Sequence, residues 1–305
     1  MYNHKYKNVI IDGNNFLFRA YHTKRPDKFV NGINTTPIYQ FLYMIKSVAE
    51  KNKPQQMYLT WDQKKNHGGP NFRKELTAYK QQRVETEEKK EIFTYIEHIQ
   101  KFMDALGIIT IFPYNLEADD VVYFLTDKLK EQDGNTLIIS SDKDLLQLVS
   151  DKVHVFLPSK DFIVTMDNFE TFVGIPPSKF LLYKSILGDV SDNISGLDKY
   201  SPVRAKKLAM QFEDQKKFLT EDQKEILDRN MKIMDLTYAK QEFSLDYEKC
   251  EDQLNSFEGS TFDDQELIRL FKEYDFSDYR LIIGKWTKLF DTSNKTTSLL
   301  SQISL

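Results

Sequence analysis

Residues 8–15 read NVIIDGNN, an apolar run that stops at Asp12 and passes directly into a glycine and two asparagines. A short, continuously apolar run of this kind is typical of a strand buried on both faces of a parallel sheet. Similar runs lie at 57–61, 108–112, 136–139 and 153–157. Between them lie amphipathic stretches at 37–51, 87–106 and 118–130. This alternation predicts an α/β fold with a mainly parallel sheet flanked by helices.

The second half of the chain has a different pattern, because its periodicity is helical throughout. The predicted helices lie at 178–187, 202–212, 221–239 and 264–273. We therefore predict an α/β core over 1–174 and an all-helical region over 175–290. The polar, small residues of 291–305 predict a flexible tail.

The composition of the 305-residue chain, 40% hydrophobic and 29% charged, is that of a folded globular protein. Its apolar runs are far shorter than the roughly 20 residues that span a bilayer. The N-terminus lacks the apolar centre of a signal peptide. The single cysteine, Cys250, excludes an internal disulfide and a cysteine-based zinc cluster. We expect a monomer in the cytoplasm, which is the host cytoplasm if a phage encodes the protein.

Carboxylates follow the ends of four predicted strands, and the carboxyl ends of parallel strands form the ligand-binding edge of an open α/β sheet. These acids are Asp12, Asp62, Glu117, Asp119, Asp120, Asp142 and Asp144. Each one alone is better explained as a helix cap or a surface charge than as a functional group. Together these carboxylates would repel one another, so a stable arrangement needs positive charge, protonation or a metal. Oxygen ligands in the absence of cysteine favour Mg²⁺ or Mn²⁺. Asp189 and Asp192 could serve a second ion, as in two-metal phosphoryl transfer.

The net charge of the whole chain is −4, which by itself argues against nucleic-acid binding. The basic residues, however, are concentrated in particular stretches. The stretch 64–83 carries six basic residues against one acid and also contains Phe72 and Tyr79. Cations interleaved with rings suit single-stranded nucleic acid, which is held by its backbone and by base stacking. A second basic stretch contains Lys199, Arg204, Lys206 and Lys207. A solvated surface loop is the alternative explanation for the first stretch.

Five blocks in a fixed order carry a resemblance to a known family. They read VIIDG at 9–13 with RAYH at 19–22, FR at 72–73 with YKQQR at 79–83, EADD at 117–120, SDKDLLQL at 141–148, and GDVSDNI at 188–194. The chain thus resembles the 5′-nucleases: bacteriophage flap endonucleases, 5′→3′ exonucleases and primer-removing ribonuclease H-type nucleases, and the 5′-nuclease domain of bacterial DNA polymerase I. The resemblance spans residues 9 to about 208.

The resemblance implies a role for each matching position. Two Mg²⁺ ions, with Mn²⁺ as a substitute, would be held by nine acids, some of them through water. The acids that would ligate or approach the first ion are Asp12, Asp62, Glu117, Asp119, Asp120 and Asp142. Those that would belong to the second are Asp144, Asp189 and Asp192. Asp12 and Asp142 would be essential for catalysis. Lys80 would contact the scissile phosphate with help from Arg83. Tyr79 would stack on a base, and Arg73 would bind the nucleic acid.

The resemblance also implies a helical arch over 64–90 that receives a single-stranded 5′ arm, and a helix–hairpin–helix-like region that grips duplex DNA. The chain departs from the family at 195–202, SGLDKYSP, where glycines of the hairpin are replaced. Lys199, Arg204, Lys206 and Lys207 would then bind phosphates directly. Expected substrates are DNA with a 5′ flap or a 5′ end and RNA primers on DNA; a sliding clamp or single-strand-binding protein is a candidate partner.

Three other functions would explain part of this pattern. A dehalogenase-type phosphatase is discounted, because Asn14 stands where its second aspartate would be. A PIN-like single-strand ribonuclease would explain Asp12, Asp120 and Asp142, but neither the 79–83 block nor the 188–194 block. A catalytically silent DNA-structure-binding protein would explain the basic segments, but not the presence of all nine expected carboxylates.

Overall fold

The computed structural model describes residues 6–62, 73–82, 86–242, 244–257, 261–276 and 279–291. A six-stranded sheet lies at its centre. Its strands are β1 Asn8–Asp12, β4 Gln56–Thr60, β5 Ile109–Ile111, β6 Thr136–Ile139, β7 Val153–Leu157 and β8 Phe162–Val164. Their order is β5-β4-β1-β6-β7-β8, and all neighbours are parallel except the edge pair β7 and β8. The predicted mainly parallel sheet is confirmed, and β8 is an additional strand.

Two short ribbons stand apart from the sheet: β2 Phe29–Val30 with β3 Ile33–Asn34, and β9 Gly188–Asp189 with β10 Ile194–Ser195. The helices of the first part of the chain are α1 Gly13–Tyr21, α2 Thr36–Asn52, α3 Arg73–Leu76, α4 Glu87–Ala105, α5 Ala118–Leu129 and α6 Met166–Val173. Those that follow are α7 Phe180–Leu187, α8 Pro202–Met210, α9 Phe212–Gln215, α10 Glu221–Met234, α11 Leu236–Glu242, α12 Ser244–Ser256, α13 Asp264–Glu273 and α14 Tyr279–Phe290. Single 3₁₀ turns occupy Asp144–Leu148, Pro177–Lys179, Val190–Asp192 and Lys216–Phe218.

The central strand β1 is buried along its whole length and contributes to a core on each face of the sheet. Val9 and Ile11 point to the face covered by α1, α2, α4, α13 and α14. Ile10, between them, points to the face covered by α5, α11 and α12. Alternation along one strand therefore fills two cores, as expected for a parallel sheet covered on both sides.

Helices α7, α8 and α10 form a smaller cluster of their own around Ile186, Ala205 and Leu208. The hairpin between α7 and α8 is tightly closed by two glycines. A Cβ atom on Gly188, whose φ is +75°, would lie 2.3 Å from the backbone nitrogen of Gly196. Only glycine fits such an approach with that backbone conformation, so this hairpin retains a glycine-dependent turn despite its departure from the family pattern.

The helices after Asp235 return to the α/β core. Tyr247 and Cys250 of α12 are buried in the core that contains Ile10. Leu267 and Phe271 of α13 are buried in the core on the opposite face. The division into a core over 1–174 and a helical region over 175–290 stays a prediction, but the later helices belong physically to the sheet layers. Within the described residues, no helix is both long and apolar enough to cross a bilayer.

Candidate active site

Asp12 marks the carboxyl end of β1 and caps the following helix. Its Oδ1 accepts a hydrogen bond from the backbone N–H of Asn15 at 3.0 Å, and its Oδ2 accepts one from the Ser140 hydroxyl at 2.7 Å. Ser140 directly follows β6, the neighbouring strand in the sheet. The strand order thus fixes Asp12 at the centre of the edge where the sequence predicted the acids to meet.

Around Asp12 lies what we call the first acidic group, whose members interact electrostatically across the cleft at the sheet edge. It consists of Asp12, Asp62, Glu117, Asp119 and Asp142. Asp62 follows β4; its Oδ1 accepts a hydrogen bond from the Ala118 N–H at 3.1 Å, and the Asn14 amide donates to its Oδ2. Ala118 begins α5, so the end of β4 is joined to the start of this helix.

Two members of the first acidic group are poorly compensated. Burial, reinforced by the nearby Asp62 and Asp142 carboxylates, raises the pKa of Asp12 to about 6, although Asn15 and Ser140 oppose the shift. Burial together with the charges of Asp142 and Asp12 also raises the pKa of Asp119 well above its ordinary value. Within the described residues, neither carboxylate forms a direct ion pair. Both would gain from a bound cation.

Glu117 is the member of this group with strong internal partners. Lys80 Nζ lies 2.7 Å from its Oε1, and the Tyr79 hydroxyl donates to its Oε2 at 2.7 Å. Burial alone would raise the pKa of Glu117, but the charges of Lys80 and Arg73 outweigh it and lower the pKa to about 2. Lys80 also lies 3.8 Å from Asp192. A fixed ammonium group is therefore present at the acidic cleft.

The predicted roles of Asp120 and Arg73 require correction. Asp120 is fully buried, and both of its oxygens accept hydrogen bonds from the Arg73 guanidinium, at 2.8 and 2.7 Å. Arg73 also donates to the backbone carbonyl of Ile233 in α10 at 2.9 Å. The Asp120 carboxylate is directed into the protein and not into the cleft, and Arg73 is occupied internally rather than presented to nucleic acid.

Tyr79 also differs from its predicted role as a base-stacking residue. Its ring is buried beside Ile194, Ile233 and Met234. Its hydroxyl donates to Glu117 and lies 3.3 Å from Asp192 Oδ2. In this structure Tyr79 orients carboxylates instead of offering a ring to a nucleic acid.

The second acidic group consists of Asp144 and Asp189, which are joined by an amine that sequence reasoning missed. Lys184 Nζ lies 2.8 Å from Asp144 Oδ1 and 2.9 Å from Asp189 Oδ2. Burial raises the pKa of Asp144 to about 6, opposed by Lys184 and reinforced by Asp142 and Asp189. The pKa of Lys184 is raised because the attraction of the two acids outweighs its burial. Asp192 was assigned to this group but lies on the Tyr79 and Lys80 side.

Among the described residues, no three carboxylate, histidine or cysteine side chains converge closely enough to ligate one ion in this conformation. Two lysine amines lie between the acids instead: Lys80 between Glu117 and Asp192, and Lys184 between Asp144 and Asp189. The predicted metal-ligand sets therefore stay predictions, and the amines mark where a metal would compete with the protein's own cations.

The second basic stretch surrounds the start of α8. Lys199, Arg204 and Lys207 are exposed, and the Arg204 guanidinium donates to the Lys199 carbonyl at 3.2 Å. Lys206 differs, because its half-buried amine donates to the Val173 carbonyl at the end of α6. Lys206 thus caps a helix, whereas the other three remain available to phosphates.

Arg83 lies outside the described residues, as do 64–72 and 83–85 of the predicted arch and 292–305 of the predicted tail. Sequence reasoning missed three site residues: Lys184, Ser140 and Asn14. Lys184 had a usable signal, because it is the only charge in the otherwise apolar helix α7, FLLYKSIL. A buried amine in such a helix requires an acidic partner. Asn14 donates a hydrogen bond to Asp62, which follows another strand, and nothing in the sequence indicated this contact.

Comparisons with known proteins identify the family of the chain. Residues 7–174 match the family described as 5′-3′ exonuclease, N-terminal resolvase-like domain. The chain belongs to this 5′-3′ exonuclease family.

Individual relatives cover the same part of the chain. A 5′-3′ exonuclease of Buchnera aphidicola is 31% identical over 193 residues, 63% of this chain and 65% of the relative. One from Aquifex aeolicus is 32% identical over 197 residues, 64% of this chain and 66% of the relative. The matched region thus spans slightly less than two thirds of the length of these relatives.

A solved structure shares the fold. It is the bacteriophage T5 flap endonuclease in a pseudo-enzyme-product complex with DNA and metal ions. It superposes with a TM-score of 0.65 at 21% sequence identity, covering 82% of this chain and 99% of that chain.

Proposed function

We propose that this protein is a metal-dependent 5′-nuclease that hydrolyses phosphodiesters in branched or 5′-ended DNA and in RNA primers joined to DNA. The observation that carries the proposal is the first acidic group, in which four separate chain segments deliver carboxylates to one sheet edge beside the fixed amine of Lys80. Membership of the 5′-3′ exonuclease family and the fold shared with a flap endonuclease support the same activity.

The residues present fit a divalent cation. The donors of the cleft are carboxylate oxygens, which are the ligands that Mg²⁺ and Mn²⁺ prefer. Asp12 and Asp119 are desolvated acids, and the charge of Asp12 helps to raise the pKa of Asp119, so both gain from a nearby cation. Asp12, Asp62, Glu117, Asp119 and Asp142 would hold one Mg²⁺. Asp144 and Asp189 would contribute to a second, with Asp192 approaching from the Tyr79 and Lys80 side.

Bound Mg²⁺ would supply Lewis-acid stabilisation of charge on the phosphate and its leaving oxygen. The protein's own contribution is positional. Asp12 and Asp142 are the acids whose loss would be most damaging, because they lie at the ends of the central strands β1 and β6. Lys80 would pair with a non-bridging oxygen of the scissile phosphate, where its charge stabilises the transition state. Arg83 would assist it.

Substrate binding would use the exposed cations near α8. Lys199, Arg204 and Lys207 would contact phosphates of the duplex and give a salt-dependent affinity. Lys206 is excluded from this set because it caps α6. Replacing Lys207 alone by Ala therefore tests the duplex contact without disturbing that cap. A single-stranded 5′ arm would pass the Lys80 side of the cleft, and a clamp or single-strand-binding partner stays a proposal without a located surface.

The test is a duplex with a 5′ single-stranded flap, labelled separately at each end, incubated with Mg²⁺, with Mn²⁺ or with chelator. We expect cutting near the flap junction that requires metal and is lost in Asp142→Asn. Asp151→Asn, an exposed acid-to-amide change outside the cleft, is the matched control and should cut normally. Binding without cutting in every metal would favour the silent DNA-binding protein. Preferential cutting of unpaired RNA would favour the PIN-like ribonuclease.

A further inference from the structure

The chain segment that carries Lys80 is fastened to the loop that carries Asp189 and Asp192. Four hydrogen bonds, which we call the latch, join residues 78–82 to residues 190–193. They run from Lys80 N to Asp192 O at 2.9 Å, from Asn193 Nδ2 to Ala78 O at 2.8 Å, and from Gln82 Nε2 to Val190 O at 3.2 Å and Ser191 O at 3.0 Å. The latch crosses more than 100 residues of sequence separation.

Both sides of the latch contain a residue with an unusual backbone. Lys80 has φ +53° and Asn193 has φ +60°, the left-handed region that residues other than glycine rarely adopt. Asparagine tolerates this conformation well, whereas lysine adopts it only where its surroundings hold it there. The Lys80 N–H donates to Asp192 O, and the neighbouring carbonyl of Ala78 accepts from Asn193. The backbone of Lys80 is thus held by the loop opposite.

The position of the Lys80 amine follows from that backbone. Its Nζ lies 2.7 Å from Glu117 Oε1, on the helix α5 side, and 3.8 Å from Asp192 Oδ2, on the loop side. On the N-terminal side, Arg73 is anchored to Asp120 and to the Ile233 carbonyl. With the latch on the C-terminal side, the segment 73–82 is fixed at both ends and Lys80 has little freedom to drift.

We propose that Asn193, assisted by Gln82, is a positioning residue that acts on catalysis through Lys80. The inference rests on the proposed function, because it requires Lys80 to contact the scissile phosphate. Misplacement of a catalytic group by about 1 Å can lower a rate by about 100-fold. Loss of one latch bond allows part of this displacement, so we expect Asn193→Gly to lower the single-turnover cleavage rate about tenfold.

Asn193→Gly is the informative variant, because glycine keeps the left-handed conformation and removes only the amide donor. Gln82→Ala removes the other side-chain donor of the latch and should lower the rate by a smaller factor. Gln81→Ala, an exposed neighbour outside the latch, is the matched control and should cleave normally. Affinity for the flap substrate, measured separately in Ca²⁺ or chelator, should change less than twofold in all three, because none removes a phosphate contact.

A double-mutant cycle separates positioning from a general structural role. In the Lys80→Ala background, adding Asn193→Gly should leave the cleavage rate unchanged, because the group that it positions is absent. Hydrogen exchange supplies a readout that is independent of activity: the Lys80 amide should exchange faster in Asn193→Gly than in the wild type. Full additivity of the two rate effects, or a wild-type rate in Asn193→Gly, would overturn the proposal.

The failures of the two proposals are distinguishable. If Lys80→Ala cleaves as fast as the wild type, the proposed role of Lys80 is wrong and the positioning role falls with it. If Lys80→Ala is slow while Asn193→Gly keeps the wild-type rate, only the positioning role is overturned.

Discussion

The two acidic groups of the cleft have their charge compensated to different extents. In the first, Asp12 and Asp119 have raised pKa values and, within the described residues, no ion pair of their own. In the second, the Lys184 amine bridges Asp144 and Asp189 at 2.8 and 2.9 Å. Both groups retain excess negative charge, but in the second a single amine is already shared by the two acids and offsets part of it, although the pKa of Asp144 is still raised to about 6.

The difference indicates how each group would respond to a divalent cation. A cation at the first group would relieve repulsion that the fold leaves uncompensated. A cation at the second group must compete with Lys184 for the same oxygens. We therefore expect the first group to bind metal more tightly, and the second to bind it only as Lys184 moves away.

The largest expected effect concerns Asp120, a carboxylate that belongs to neither acidic group. Arg73 neutralises its charge inside the protein. Arg73→Ala leaves this buried charge without its partner, and breaking a buried ion pair in this way destabilises a protein by ~3–5 kcal/mol. Chemical denaturation measures the loss. Lys74→Ala, an exposed change on the same helix, should alter stability by less than about 0.5 kcal/mol. A loss under about 1 kcal/mol for Arg73→Ala would refute the internal role of this pair.

Lys184→Met sharpens the comparison by making the second group resemble the first. Without the amine, Asp144 and Asp189 lose their shared partner, and we expect the metal-free protein to lose about 1–2 kcal/mol at pH 8. The stabilisation by Mg²⁺ should increase in this variant, because the competing cation is gone. Thermal unfolding with and without Mg²⁺ checks both effects. If Mg²⁺ stabilised the variant no more than the wild type, the proposed competition between Lys184 and the metal would be contradicted.

Asp119→Asn should act in the reverse direction on the metal-free protein. Removing one uncompensated negative charge should stabilise it by about 1 kcal/mol, as replacements of strained functional residues commonly do. The same variant should lose most of the stabilisation by Mg²⁺. Asp167→Asn, an exposed acid in the first turn of α6, serves as the control. Destabilisation of the metal-free Asp119→Asn protein would break the distinction between the two groups.

The last prediction concerns pH. Asp12 has a pKa of about 6 in the folded protein against an ordinary value of 3.8, so between these values the native state retains a proton that the unfolded chain has lost. Its contribution to the stability of the metal-free protein therefore falls as the pH rises from about 4 to about 6. Protons compete with metal over the same range, so the Tm increase caused by Mg²⁺ should shrink between pH 7 and pH 5. An equal increase at both pH values would contradict this.

The sheet edge could be predicted from the sequence because apolar runs identify buried parallel strands, and the acids stand directly after them. The directions of individual side chains could not. Asp119 and Asp120 are adjacent on α5, where successive residues point about 100° apart, so only one of them can face the cleft. The deciding partner, Arg73, is 47 residues away in sequence.

The same limit applies to the helices and to the basic segments. Amphipathic periodicity predicted α13 correctly over Asp264–Glu273, but it cannot indicate which surface an apolar face will cover. Here that surface is the sheet core rather than α7 or α8. Likewise, nothing in the sequence distinguishes Lys206 from Lys207, yet Lys206 caps α6 and Lys207 faces solvent.

The most direct test of the difference between the two groups is the location of Mn²⁺ in crystals soaked at low and high concentration, read from anomalous scattering. We predict that the first acidic group is occupied at the lower concentration, and that the second is occupied only at the higher one, with the Lys184 amine displaced from Asp144 and Asp189. Mn²⁺ bound first at the second group, or bound at neither, would contradict the account.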